Sequence, residues 1–187
     1  MVSIENLDFR KASIALLGLL FLAGVLIQAG SEERGQSGFN RNDVMFMNMM
    51  IIHHDQAIDM AELAENRTDN ENILELAKNI SQAQTQENRQ MTEWLNQLGY
   101  ERPVRGHRMA GMASREEMEK LRDINGTEFN ELFAALMIEH HEGGIAMSQN
   151  FYRSGENTEL RKMQLQMIEA QQKEIRRMRE WQEEDQL

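Results

Sequence analysis

The chain has 187 residues, a formal net charge of −11, 15 methionines and no cysteine. An acidic chain lacks the basic face that neutralises phosphates, so nucleic acid is excluded as a partner. The absence of cysteine excludes disulfides, zinc ribbons and thiol nucleophiles, and any soft metal ligand must therefore be methionine, supplemented by histidine.

Residues 1–30 have the pattern of a signal peptide or a membrane anchor. Arg10 and Lys11 precede an unbroken apolar run at 14–27. With its flanks, residues 12–29, this run is long enough for a short membrane-spanning helix, and it also fits the apolar region of a signal peptide. The residues at 27–29 make a poor cleavage site, which favours a retained anchor. Both interpretations place the rest of the chain outside the cytoplasm, after a polar linker at 31–40.

The remaining residues, 41–185, have the pattern of a single all-α domain. Long helices are predicted at 42–66, 71–98, 127–152 and 158–184, and Asn42 or Asp43 is the predicted cap of the first helix. Ser114 and Glu117 form the pattern of a capping box, which predicts a short additional helix before the third long one. No segment alternates in the manner of a strand.

The chain contains an internal repeat. Residues 46–94 align without a gap with residues 133–181, at an offset of 87, and 15 of the 49 pairs are identical. Each copy predicts a helical hairpin, which cannot bury its apolar face alone. Two hairpins together predict a four-helix bundle with pseudo-twofold symmetry.

The repeat places a histidine pair at the same position of each copy. On a heptad, the first histidine of each pair falls in the core-facing seam, and a methionine precedes it by three residues. A thioether and an imidazole on one helix face can chelate one ion, and this donor set prefers Cu(I) or Ag(I). The predicted ligands within the two copies are Met47, Met49, Met50, His53, His54, Met60, Met137, His140, His141 and Met147.

Two carboxylates on the partner helices complete the prediction. Glu87 and Glu174 lie at equivalent positions of the repeat and are predicted to accept the second imidazole N–H, which would fix the tautomer. They could instead bind a harder metal directly. Methionine also fills gaps in cores, and Met60, Met147, Met163 and Met167 taken alone indicate packing. The paired histidines favour metal ligation.

A loop between the two copies provides a second candidate site. The stretch HRMAGM contains His107, Met109 and Met112 within six residues. Three such donors on a flexible segment could wrap around one soft ion. Ordinary loop composition is the alternative explanation.

The motifs MMIIHHDQAIDMA and AQTQENRQMTEWL, with their second copies LMIEHHEGGIAMS and AQQKEIRRMREW, resemble the domain of unknown function 305 family over about residues 40–184. The resemblance implies a ferritin-like four-helix bundle, and it implies copper binding by methionine and histidine, because some members are exported copper-binding proteins. Gly143 and Gly144 replace Gln56 and Ala57 of the first copy, and we expect them to loosen the third long helix.

Three functions compete at this point. The leading hypothesis is a binding protein, not an enzyme, that captures Cu(I) outside the cytoplasm and contributes to metal tolerance. The second is a ferritin-like dimetal oxidase, although the Glu-x-x-His signature of such sites is absent. The third is a metal-free helical interaction module. The expected partners are a metal ion and, through an uncleaved N-terminus, a membrane, and hairpins exchanged between chains would give a homo-oligomer.

Overall fold

The computed structural model describes residues 38–103 and 109–184, and the regular elements of these residues are helices. The predicted signal peptide or anchor, residues 31–37 of the linker, and His107 lie outside the described residues. The helices are α1 (Arg41–Leu63), α2 (Glu71–Gln97), α3 (Arg115–Asp123), α4 (Gly126–Tyr152) and α5 (Thr158–Glu183), with a 3₁₀ turn at Ala64–Asn66. The described part contains no strand, so the predicted all-α class is confirmed.

The four long helices pair as two hairpins. α1 packs along α2, α4 packs along α5, and the hairpins meet through α1 and α4, against which the short helix α3 also packs. The predicted four-helix bundle is therefore confirmed, and α1 and α4, which carry the histidine pairs, form its central contact. Within the described ranges, no helix is long and apolar enough to cross a membrane.

The first helix begins earlier than predicted. The side chain of Asn40 accepts hydrogen bonds from the backbone N–H groups of Asn42 and Asp43, and the Asp43 carboxylate accepts one from the N–H of Asn40. This reciprocal pair is a capping box built from Asn and Asp. The prediction of Asn42 or Asp43 as the cap was wrong, because Asp43 acts from the third helical position.

The core divides into two clusters of contacting side chains. The methionine-rich cluster contains buried Phe46, Met47, Met50, Ile51, Met91, Leu95, Met147, Leu160 and Met167, with partly buried Met49, Met109 and Met163 packed against it. The second, which we call the aliphatic cluster, includes Met60, Leu76, Ile80, Met118, Phe133, Ala134, Leu136, Met137 and Met178. The two clusters lie on opposite sides of the histidine pairs along α1 and α4.

Candidate metal centre

The first histidine of each pair lies in the contact between α1 and α4. His53 and His140 are both fully buried, and their rings are in tilted contact, with centroids 3.7 Å apart and an interplanar angle of 36°. Both residues occupy the core-facing seam at the position where the two central helices meet. The structure therefore brings together two imidazoles that are 87 residues apart in the chain.

The second histidine of each pair contacts a carboxylate on the neighbouring helix of its own hairpin. His54 Nε2 lies 2.9 Å from Glu87 Oε2, and His141 Nε2 lies 2.6 Å from Glu174 Oε2. Both imidazoles are fully buried, whereas the two carboxylates keep about a fifth of their side-chain surface exposed. Each hairpin thus connects one buried imidazole to a carboxylate that reaches solvent.

Both glutamates line a small cavity between α2 and α5. Its volume is about 20 Å³, and it is lined by Ile80, Ala83, Gln84, Glu87, Met167, Ala170, Gln171 and Glu174. These residues form four pairs at the repeat offset, so the cavity lies on the pseudo-twofold axis. Such a volume holds about one water molecule.

The hydrogen bonds assign one tautomer to all four imidazoles. His140 Nε2 lies 2.9 Å from the main-chain oxygen of His53, and His53 Nε2 lies 3.4 Å from that of Ala110. Carbonyl and carboxylate oxygens only accept, so Nε2 carries a proton in each ring, and Nδ1 is the atom that the neutral ring offers to a metal ion. The four buried Nδ1 atoms have no hydrogen-bond partner within residues 38–103 and 109–184. A buried lone pair without a donor is costly, and a metal ion would satisfy it.

The same burial keeps the imidazoles of His53 and His140 neutral. Burial, followed by the repulsion that would arise if His54 were also protonated, lowers the pKa of His53 to about 3. Burial, followed by the corresponding repulsion with a protonated His53, lowers the pKa of His140 well below its usual range. Both rings are therefore neutral at physiological pH, which is the form that binds metals.

The predicted methionine ligands divide between the two clusters. Met47, Met50 and Met147 are buried in the methionine-rich cluster, against which Met49 and Met109 pack. Met60 and Met137 lie in the aliphatic cluster. Met50 and Met137 are equivalent in sequence but lie on opposite sides of the histidines, because the pseudo-twofold axis relates antiparallel helices. The sequence analysis did not select Met91 as a ligand and assigned Met163 and Met167 to packing, and all three belong to the methionine-rich cluster.

The loop before α3 passes over His53. In this loop Ala110 provides the carbonyl that faces the imidazole, and the backbone N–H of Met109 donates to the sulfur of Met112 at 3.3 Å. Gln56 holds the loop through two hydrogen bonds to the backbone of Ala113, of 2.9 and 2.7 Å. The loop residues Met109 and Met112 therefore lie near the four buried histidines, His53, His54, His140 and His141, which we call the histidine centre. His107 is outside the described residues.

The two glycines of α4 have a different role from the one expected. A Cβ atom on Gly143 would clash with the backbone of Ala110 and Gly111, whereas one on Gly144 would meet only the side-chain amide of Gln171. The helix is continuous through both residues. Gly143 therefore makes room for the loop where the first copy has Gln56, and the loosening of the helix stays a prediction.

The described residues contain no group of three or more His, Asp or Glu side chains that converge on one point. The imidazoles and carboxylates are neighbours, but they do not form a closed cage of hard ligands. A soft monovalent ion needs fewer donors and accepts thioethers, which the adjoining methionines provide. The arrangement therefore suits a site that combines imidazole and sulfur ligands.

The comparisons with known proteins agree with this fold. The family model described as Domain of unknown function (DUF305) matches residues 43–182. A DUF305 protein from Streptomyces coelicolor, named as an expected secreted protein, is 32% identical over 73% of this chain and 89% of that chain, with a TM-score of 0.68. A DUF305 fragment from Deinococcus radiodurans is 30% identical over 75% of this chain and 95% of that chain, with a TM-score of 0.70.

The chain is also similar to CopM, which has been solved with Cu(I), with Cu(II) and with Ag. The Cu(I)-bound form is 29% identical over 76% of this chain and 96% of that chain, with a TM-score of 0.66. No curated protein sequence matches the chain. Because the family model covers most of its length, this protein belongs to the DUF305 family.

Proposed function

We propose that this protein binds and sequesters Cu(I), and also Ag(I), outside the cytoplasm, and so contributes to metal tolerance. The observation that carries the proposal is the set of four buried Nδ1 atoms, of His53, His54, His140 and His141, that have no hydrogen-bond partner among the described residues. Each belongs to a buried ring whose Nε2–H faces an oxygen acceptor. Such second contacts orient an imidazole and raise its basicity as a ligand.

The neighbouring donors favour a soft metal. Methionine thioethers lie on both sides of the histidines, and the chain has no thiolate that could compete for the ion. Thioether and imidazole together suit Cu(I), and imidazole alone also suits Cu(II). The metal-bound structures of CopM support the same assignment for a relative of this fold.

The proposed location outside the cytoplasm rests on the N-terminal sequence. The apolar residues 12–29 would be a membrane anchor or, if cleaved, part of a signal peptide. The name of the Streptomyces coelicolor relative supports export. In an oxidising compartment methionine and histidine remain available as ligands where thiols form disulfides. We therefore propose a binding protein that requires no catalytic base, and not an enzyme.

The test is an anaerobic competition for Cu(I) between the full-length protein in mild detergent and a colorimetric Cu(I) chelator. We expect the wild type to retain Cu(I) and the double variant His53→Leu/His140→Leu to lose at least one bound equivalent. The matched control is Phe46→Leu/Phe133→Leu, which alters the same seam two turns away without removing a donor. Circular dichroism of each variant separates ligand loss from unfolding.

Failure of the wild type to compete with the chelator would contradict the proposal. Uptake of iron with consumption of oxygen would instead support the dimetal oxidase, with Glu87 and Glu174 as its carboxylates. A melting temperature that no metal changes would support the interaction module, because a ligand that binds only the native state must raise that temperature.

A further inference from the structure

The two ends of the bundle differ at positions that the repeat makes equivalent. Three methionine pairs are kept in both copies: Met50 with Met137, Met60 with Met147, and Met91 with Met178. At four further pairs of equivalent positions, the methionine-rich cluster has a methionine and the aliphatic cluster has a residue without sulfur. Its Met47, Met49, Met163 and Met167 correspond to Ala134, Leu136, Leu76 and Ile80.

Packing does not require these extra methionines. Leu76 and Ile80 are 2% and 1% exposed in the aliphatic cluster, so branched aliphatic side chains fill the equivalent space well. Methionine loses more rotamer entropy on burial than leucine or isoleucine. The sulfur atoms at one end therefore suggest a use for the thioether beyond filling a cavity.

The excess methionines also form a graded path from solvent. Met45 is 42% exposed, Met49 is half-buried one turn later on the same face of α1, and His53 follows after one more turn. Met163 of α5 and Met109 of the loop are also half-buried against this cluster, whereas Met47, Met50 and Met91 are fully buried. Thioethers thus extend from the surface to the histidine centre at this end.

We propose that the methionine-rich cluster is a separate, thioether-only site for a soft monovalent ion, Cu(I) or Ag(I), next to the histidine centre. Its ligands come from Met49, Met163 and Met167, together with the buried Met50 and Met91. The aliphatic end, with fewer sulfur atoms, does not form an equivalent site. The inference rests on the proposed soft-metal function, but its donors are thioether sulfur atoms and not the imidazole Nδ1 atoms, so each proposal can fail alone.

The repeat itself provides the test variant. In Met49→Leu/Met163→Leu/Met167→Ile, each methionine becomes the residue that the other copy has at the equivalent position. These changes nearly conserve volume and keep the core apolar. The control, Met118→Leu/Met178→Leu, removes two sulfur atoms from the aliphatic cluster at residues that are not predicted ligands.

The measurement is a titration of the full-length protein in detergent with Ag(I), followed by NMR of ¹³C-labelled methionine methyl groups, with Cu(I) competition in parallel. We expect the methyl signals of Met49, Met163 and Met167 to shift before those of Met118 and Met178. We also expect the test variant to lose one equivalent of bound ion, or at least tenfold in affinity at that site. The control variant should keep the stoichiometry and the affinity of the wild type.

Each outcome distinguishes the two proposals. If the test variant binds like the wild type while His53→Leu/His140→Leu loses its ion, the thioether-only site is wrong and the histidine centre stands. If the histidine variant binds like the wild type and the test variant does not, the methionine cluster stands and the histidine centre is wrong. A wild type that binds neither Ag(I) nor Cu(I) would overturn both.

Discussion

His140 donates a hydrogen bond of 2.9 Å from Nε2 to the main-chain oxygen of His53, against whose ring it also packs. Pseudo-twofold symmetry would pair His53 Nε2 with the main-chain oxygen of His140. In the structure His53 Nε2 instead faces the carbonyl oxygen of Ala110, at 3.4 Å. The loop therefore replaces one half of a symmetric arrangement, and both imidazoles still keep Nδ1 for another ligand.

The burial of these two rings makes the stability of the metal-free protein sensitive to mild acid. The pKa of His53 is lowered from 6.5 to about 3, and that of His140 is also lowered. The unfolded chain therefore binds more protons than the folded one between these values. With respect to these two groups, the free energy of unfolding is highest above pH 6.5. It decreases as the pH falls from 6.5 towards 3, by up to about 1.4 kcal/mol per pH unit for each histidine.

Urea unfolding at pH 7.5 and at pH 5, with a chelator present, measures this dependence. We expect a lower free energy of unfolding at pH 5 for the wild type. The variant His53→Leu/His140→Leu is the control and should show a flatter pH dependence. Equal dependence in both proteins would mean that other groups cause the loss.

The carboxylates of Glu87 and Glu174 should control metal affinity without binding the metal. Each accepts a hydrogen bond from the Nε2–H of a buried histidine, so the double variant Glu87→Gln/Glu174→Gln keeps the shape but removes the charge that orients the ring. We expect the Cu(I) affinity to fall by about 10- to 100-fold, as is typical for partners of metal-binding histidines. Chelator competition gives the affinity.

The control for this prediction removes the same charge from the same two helices. Glu75 of α2 and Glu169 of α5 are exposed, with side-chain accessibilities of 60% and 70%. The variant Glu75→Gln/Glu169→Gln should bind Cu(I) almost as tightly as the wild type. Similar losses in both variants would show that net charge, and not the histidine contacts, determines affinity.

Periodicity predicted the fold well but missed part of the core. A heptad seam that starts at Ile80 predicts a core face on α2 through Gln84, Glu87, Met91, Trp94 and Leu98. In the structure Asn88 and Leu95 are buried, whereas Leu98 is 36% exposed. A straight helix has 3.6 residues per turn, so a seam drawn with period 3.5 drifts over seven turns. The same drift leaves Glu87 at the edge of the core, where it reaches both His54 and solvent.

The repeat predicted which histidines are equivalent, but it could not predict what lies over them. The loop over His53 has no counterpart in the repeat, and its position depends on contacts with Gln56 and Gly143 on two different helices. The division of the methionines between two clusters was accessible from the sequence. To predict this division, one must assume that α1 and α4 pack antiparallel, which places Met50 beside Met147. The heptad pattern alone does not give the relative direction of the two helices.

Gly143 provides a direct test of the loop's position. In Gly143→Ala the new methyl group would clash with the backbone of Ala110 and Gly111, and backbone cannot move as cheaply as the end of a side chain. We expect a loss of about 1–3 kcal/mol in the free energy of unfolding, measured in urea. The gain in helix propensity, about 0.5–1 kcal/mol, partly offsets this loss.

Gly144→Ala is the matched control, because it has the same propensity gain and meets only the amide of Gln171. It also introduces the residue that the first copy has at this position, Ala57. We expect this variant to be as stable as the wild type or more stable. Equal effects of the two substitutions would mean that the loop does not press on α4.

Asp43 should be the polar residue on which the methionine-rich end depends most. Its buried carboxylate accepts hydrogen bonds from the backbone N–H groups of Asn40, Glu156 and Asn157, at 2.9, 3.0 and 3.2 Å, and so connects α1 to the start of α5. Asp43→Ala leaves these donors without their acceptor, and we expect it to lower the free energy of unfolding by about 1–3 kcal/mol. Asp43→Asn keeps one acceptor oxygen and should lose less.

Urea unfolding of both Asp43 variants gives these losses, and exposed Asp69, in the loop before α2, provides a control that removes a carboxylate elsewhere. If Asp43→Ala unfolds like Asp69→Ala, the three hydrogen bonds contribute little. If it is destabilised as expected, Ag(I) should restore part of its melting temperature, because an ion held by thioethers of α1 and α5 would join the same two helices. Restoration of the same size in Met49→Leu/Met163→Leu/Met167→Ile combined with Asp43→Ala would place the responsible ion at the histidines instead.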